Sequence, residues 1–326
     1  MSENTIFHNR IDLTELAEAS ARLQNEIGKV IVGQKNMVEL MLVAMLTDGH
    51  VLIEGVPGVA KTLAAKLMAK AISVKFSRIQ FTPDLMPSDV TGTNIFNISK
   101  SEFQFNAGPI FANIVLIDEI NRAPAKTQAA MFEVMEERQI TIDGKTYKMP
   151  PPFIVLATQN PVEHEGTYRL PEAQLDRFLF KIEVGYPTPE EEETILLRSH
   201  ERKSGKEMDE VNPVFSGEQI IRFQEQVKQI QIEESLRKYI VQITAKTRNH
   251  SAIYLGASPR ASIYLMNSAK AFAAISGRDF VTPEDIQSVV KPVLQHRIQL
   301  TPEKELEGKT PADIINSIIQ SIDVPR

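Results

Sequence analysis

The segment Gly55-Val56-Pro57-Gly58-Val59-Ala60-Lys61-Thr62 follows a short apolar run, Val51-Leu52-Ile53. It fits the template G-x-x-x-x-G-K-[ST] except at its last glycine, where Ala60 stands. A strand, a glycine-rich turn and a helix are predicted in that order. Leu63, Leu67, Met68, Ala71 and Ile72 then recur at helical spacing. Backbone N–H groups of such a loop point at phosphate oxygens, and the following helix adds its positive end. Lys61 would reach the β- and γ-phosphates of a nucleoside triphosphate, with the Thr62 hydroxyl on Mg²⁺. The plain alternative is an ordinary Gly-Pro-Gly turn. A glycine at position 60 could adopt positive φ, which alanine resists. The expectation is therefore that Ala60 keeps a negative φ in the helical region.

The 326 residues suffice for two domains and a large core. Hydrophobic residues make up 42% and charged residues 24%, an ordinary globular balance. No apolar run approaches the roughly 18 residues that span a bilayer, and the N-terminus has no secretory pattern. The absence of cysteine excludes disulfides, thiolate metal sites and a cysteine nucleophile. Together these point to the cytoplasm. The net charge of −6 gives no support to nucleic-acid binding. The six histidines show no His-x-x-x-His pair, and His164-Glu165 forms no zinc motif. No Gly-x-Ser-x-Gly elbow occurs.

The first part alternates apolar strands with helical patterns, which predicts an α/β fold with a parallel sheet. The expected strands are 51–54, 74–81, 114–117, 154–158 and 178–184. The run Ile114-Val115-Leu116-Ile117 is apolar throughout, as suits a strand covered on both faces. Two excursions, 94–105 and 139–148, read as β-hairpins, the second turning on Asp143-Gly144. The composition changes near Pro187, and long helical patterns without a convincing strand follow. A domain boundary is expected there, giving 1–187 and 188–326. Glu190 to Glu193 read as a solvated helix start. Thr282-Pro283-Glu284-Asp285 reads as an N-cap, a proline in the first turn and a capping box.

Other parts of a nucleotide machine follow. Asp118-Glu119 ends the buried strand. The aspartate would hold Mg²⁺ through its water shell, and the glutamate would orient and deprotonate a water. Idle carboxylates at a strand end are the plain alternative. Asn160 ends another apolar strand, where it could hydrogen-bond the γ-phosphate or the water, or merely begin a turn before Pro161. Arg177 precedes a strand and reads as a finger for transferring phosphate, or as a surface ion pair. Arg260 opens a helix, where a cation is disfavoured by the dipole, and this suggests an anionic partner.

In order and spacing, Gly33-Gln34, 55–62, 116–122 with its Asp-Glu-Ile-Asn-Arg, 157–161, 166–178 and 256–260 resemble the AAA+ ATPases, and in detail their MoxR family. The resemblance implies a parallel five-stranded sheet sandwiched by helices, followed by a small all-α lid, with ATP between them. It implies a Walker A loop over Gly55, Pro57, Gly58, Val59, Ala60, Lys61, Thr62 and Leu63, and a Walker B pair, Asp118 and Glu119. Asn160 would be sensor 1, Arg177 the finger and Arg260 sensor 2, with Gly33 and Gln34 near the adenine. The hairpins would be the helix-2 insert and the pre-sensor-1 hairpin. Family members often carry alanine at the place of Ala60. Arg169 stands where similar sequences commonly have proline, and reads either as a second interface arginine or as nothing.

The resemblance further implies ATP and Mg²⁺ as cofactors and a ring, commonly a hexamer. It implies a chaperone-like or maturation role on a protein client, with a von Willebrand factor A-domain partner on a separate chain. A nucleic-acid motor or loader and a chelatase-type motor subunit are the alternatives.

Overall fold

The computed structural model describes residues 11–160, 168, 170–202 and 207–325. His164 and Arg169 lie outside the described residues. Helices α1 (Thr14–Gly28) and α2 (Lys35–Leu46) come first, then strand β1 (Val51–Gly55) and helix α3 (Lys61–Ala71). Next are β2 (Phe76–Gln80), α4 (Pro87–Thr91), β3 (Gly92–Asn97), β4 (Glu102–Ala107) and β5 (Ile114–Asp118). Helix α5 (Ala125–Glu137), β6 (Gln139–Ile142), β7 (Lys145–Lys148), β8 (Ile154–Gln159), α6 (Glu172–Leu175) and β9 (Phe180–Val184) complete the sheet region. Beyond it run α7 (Pro189–Glu201), α8 (Gly217–Lys228), α9 (Glu234–Arg248), β10 (Ile253–Leu255), α10 (Pro259–Ile275) and α11 (Pro283–Leu294). The last elements are β11 (Gln299–Leu300), α12 (Pro302–Leu306) and α13 (Pro311–Gln320).

The main sheet is parallel, in the order β2-β5-β8-β1-β9. Alternating residues bury its two faces. Ile53, Leu116, Leu156 and Ile182 join the apolar cluster of α1, α2 and α3. Leu52, Val115, Ile117 and Val155 join a second cluster with Met131 and Phe132 of α5. The five expected strands therefore exist, with ends shifted by one or two residues. Both expected hairpins form, with Asp143 and Gly144 at φ 50° and 77°, as a two-residue turn matching strand twist requires. They meet through Phe105 stacked on Tyr147, centroids 4.1 Å apart.

Helix α2 is buried on almost every side, Met37, Val38 and Leu40 to Leu46 all packing inward. It is a core helix rather than an amphipathic one. The first apolar cluster continues from it into α8, α9, α10 and α11. Helix α7, by contrast, buries none of its residues, and Thr188 caps it reciprocally with Glu191, as a solvated start predicts. Thr282 donates its N–H to the Asp285 carboxylate at 2.8 Å, so the expected box is present at α11. One expectation needs correction. The region after Pro187 contains a two-stranded antiparallel pair, β10 with β11, too short to leave a periodic signal.

Candidate active site

Parallel strands present their carboxyl ends along one edge, and β8 lies between β5 and β1 in the sheet. Three chemically distinct tips therefore meet there: the 55–62 loop from β1, Asp118-Glu119 from β5 and Asn160 from β8. They line one cavity of about 410 Å³ together with Pro57, Gly58, Val59, Ala60, Lys61, Thr62 and Leu63. That volume lies within the range of small-ligand sites. Gly55 stands behind the lining. A Cβ there would fall 2.5 Å from the Val184 carbonyl oxygen, so the glycine lets β1 and β9 approach.

The expectation for Ala60 is wrong. Its φ is 61° and its ψ 19°, in the left-handed region. Helix α3 begins at Lys61, so residue 60 is its N-cap, where the backbone is not helical. Gly58, at φ 87°, shares the handedness. Left-handed residues alternating with ordinary ones turn successive N–H groups toward one concavity. Alanine adopts this at a cost of roughly 1–2 kcal/mol.

The Lys61 ammonium donates to the Gly55 carbonyl across the loop. Burial lowers its pKa, opposed by the charges of Asp118, Glu119 and Glu54. Buried Asp118 accepts from Arg78 Nε at 2.6 Å and from Thr158 Oγ1 at 3.1 Å. Glu119 also sits in the left-handed region, φ 58°, with its N–H given to Thr158 Oγ1 at 3.1 Å. Its carboxylate accepts from Gln80 Nε2 at 2.8 Å and pairs with Arg122 Nε at 3.2 Å. The donor set fits a magnesium nucleotide: an anion-binding loop, an ammonium, and hard oxygens from Thr62 and Asp118. Among the described residues no cluster of three His, Cys, Asp or Glu side chains forms a separate metal site.

Arg78, Gln80 and Thr158 line the cavity but do not stand out in the sequence. The signal for all three was the neighbour order: β2, with Gln80 level with Asp118, lies on one side of β5, and β8, which carries Thr158, lies on the other.

Four expected site residues lie elsewhere. Gly33 and Gln34 line a second cavity, of about 460 Å³, with Val32, Lys35 and Val38. Gln34 Nε2 donates to the Gly185 carbonyl at 3.5 Å, just past the end of β9. Gly33 has φ 78°, and a Cβ on it would fall 2.5 Å from the Glu191 carboxylate. Arg177 and Arg260 converge instead on Glu136. Arg260 Nη2 donates to Glu136 Oε1 at 2.7 Å, and Arg177 Nε lies 3.8 Å from Oε2. Helix α5 descends roughly 16 Å from Ala125 to Glu136. Its end reaches the opposite edge of the sheet, where Met135 meets His50 just before β1. Arg177 precedes β9 on that same edge, with Leu179 N–H given to the His50 carbonyl at 2.8 Å. Arg260 is thus not placed beside the Lys61 cavity, contrary to an ATP site shared with it inside one chain.

Comparison with known proteins agrees with this architecture. Residues 50–180 match the ATPase family associated with various cellular activities (AAA), and residues 245–318 match the AAA lid domain. The chain is 49% identical to YeaC, an uncharacterized protein of Bacillus subtilis, over 92% of both chains. It is 46% identical to the chaperone MoxR1 of Mycobacterium tuberculosis, over 92% of this chain and 81% of that one. A crystal structure from Cytophaga hutchinsonii, described as a candidate ATPase, superposes with a TM-score of 0.86 at 43% identity. It covers 96% of this chain and 99% of its own.

Proposed function

The chain belongs to the MoxR family of AAA+ ATPases, and on that premise we propose that it binds and hydrolyses ATP to drive chaperone-like remodelling of a protein client. One observation carries the reading: Lys61 and Thr62 face Asp118 and Glu119 across a single cavity at the tips of the parallel strands β1 and β5, which flank β8. Residues 55–63 cradle the phosphates, with the base directed toward Gly33 and Gln34. Thr62 and Asp118 would hold Mg²⁺, which when bound would neutralise charge on the phosphates. Glu119 takes a proton from water as its oxygen bonds to the γ-phosphorus and the bond to the β-γ bridging oxygen breaks. ADP and phosphate leave. Asn160 orients the water or the γ-phosphate.

Arg177 and Arg260 do not line their own subunit's cavity and pair instead with Glu136. The reading that uses them is a closed ring, hexameric as the family implies, in which both reach the γ-phosphate of a neighbouring subunit. Residues 1–187 then act as the nucleotide-binding domain and 188–326 as the lid. The client, and a von Willebrand factor A-domain partner on a separate chain, remain expectations of the family. Two variants test the chemistry. Lys61→Ala abolishes ATP binding in calorimetry. Glu119→Gln keeps binding but slows turnover by about 10² to 10⁴. Wild-type turnover in Glu119→Gln removes the glutamate as base.

A further inference from the structure

Arg297, just past α11, is the most heavily engaged side chain at the arginine edge. Its side chain is 1% exposed. Nε donates to Asp176 Oδ1 at 2.8 Å, and Nη2 donates to the Asp176 carbonyl at 2.8 Å and to the Phe178 carbonyl. Nη1 donates to the Leu179 carbonyl at 3.2 Å and to the Val293 carbonyl. The guanidinium also lies over Tyr264, 4.9 Å from the ring centroid. It therefore grips the chain on both sides of Arg177, with none of these bonds made to Arg177 itself.

The other oxygen of Asp176 accepts from Ser258 Oγ at 3.1 Å. Ser258 is the N-cap of α10, two residues before Arg260. One carboxylate thus ties together the segment bearing Arg177, the helix start bearing Arg260 and the buried guanidinium. Burial lowers the Arg297 pKa to about 10, with Asp176 opposing, so it remains a cation at neutral pH. A buried ion pair adds little net stability compared with apolar packing, but its fixed donor directions define geometry. Arg177 and Arg260 keep a third of their side chains accessible and reach the same carboxylate, Glu136.

We propose that Arg297, acting through Asp176 and Ser258, is a positioning residue that sets Arg177 and Arg260 as a pair for a neighbouring subunit's phosphate. The inference rests on the ring reading above. In this role Arg297 governs the turnover of the adjacent site and leaves its own subunit's nucleotide binding alone.

Arg297→Lys keeps the charge opposite Asp176 but loses the fork that spans the carbonyls of Asp176, Phe178 and Leu179. Turnover at saturating ATP should fall about tenfold or more, because small misplacements of such groups are costly, with KM within about twofold of wild type. Mixing is the deciding readout. Glu119→Gln subunits have a dead site but intact arginines, so they complete the sites of Arg297→Lys subunits. The mixture should turn over faster than the sum of its parts, as should Arg177→Ala mixed with Glu119→Gln. Rescue of Arg177→Ala without rescue of folded Arg297→Lys overturns the proposal, as does wild-type turnover in Arg297→Lys. Failure of the Arg177→Ala mixture overturns the ring reading itself. If Arg297→Lys melts early, Asp176→Asn, which retains the carbonyl contacts, is read by the same mixing assay, with the same outcomes deciding.

Discussion

Ala60 shows how a single backbone angle can matter more than the side chain it carries. Its methyl group tolerates a left-handed conformation that glycine would adopt without penalty. Ala60→Gly should stabilise the protein by about 0.5 kcal/mol, the relief of strain exceeding the extra entropy of the unfolded chain. The thermal midpoint should rise by about 1 °C for a chain of this size, and a fall would contradict the strain. Lys61 and Thr62 were legible in the sequence from the glycine-loop template, and Asp118, Glu119 and Asn160 because each ends or directly follows an apolar strand. Arg78 was not, because its bond to Asp118 depends on which strand lies beside β5. The handedness at Ala60 was misread for a related reason: it depends on where α3 begins, and boundaries are weakly encoded.

At the scale of elements, a few polar groups pin helices to the sheet and to each other. Asp285 is buried, accepts from Arg278 at 2.6 and 2.8 Å, and takes the Thr282 N–H at the start of α11. Asp285→Ala leaves that cation and that N–H without their carboxylate. It should destabilise by about 2–3 kcal/mol in denaturant titration. His50 bridges the end of α5 to β8: its Nε2 meets the Met135 carbonyl at 3.0 Å, and its Nδ1 accepts from Val155 N–H at 2.9 Å. Burial, and then Arg138, hold its pKa well below the ordinary 6.5, and burial does the same to His296. The unfolded chain therefore binds more protons as pH falls below about 6.5, and stability drops there. Each histidine contributes at most about 1.4 kcal/mol per pH unit. His50→Gln should flatten the slope between pH 6.5 and 5, and an unchanged slope would clear His50 of that role. The main strands and both hairpins were legible from alternation and from Asp143-Gly144. The pair β10–β11 was not, since two or three residues carry no period.

At the scale of the whole molecule, the sheet separates its chemistry by direction. The carboxyl edge carries the Lys61 cavity, and the opposite edge carries Arg177 and Arg260. If the arginines serve a neighbour, turnover per subunit should rise with protein concentration as rings close, and Arg177→Ala should remove that rise. Turnover per subunit that is independent of dilution, checked against sedimentation, would contradict ring-dependent catalysis. The sequence supplied the parts of this arrangement but not the distance between them, because that distance comes from the length of α5 and of the strands beside it. Glu136 adds something further. On the ring reading, Glu136 of a lone subunit would stand where a neighbour's phosphate goes, holding the two arginines in an ion pair. Assembly then becomes an exchange of one anionic partner for another. On that reading, subunit recognition would depend more on whether ATP is in the neighbour's cavity than on charge attraction alone.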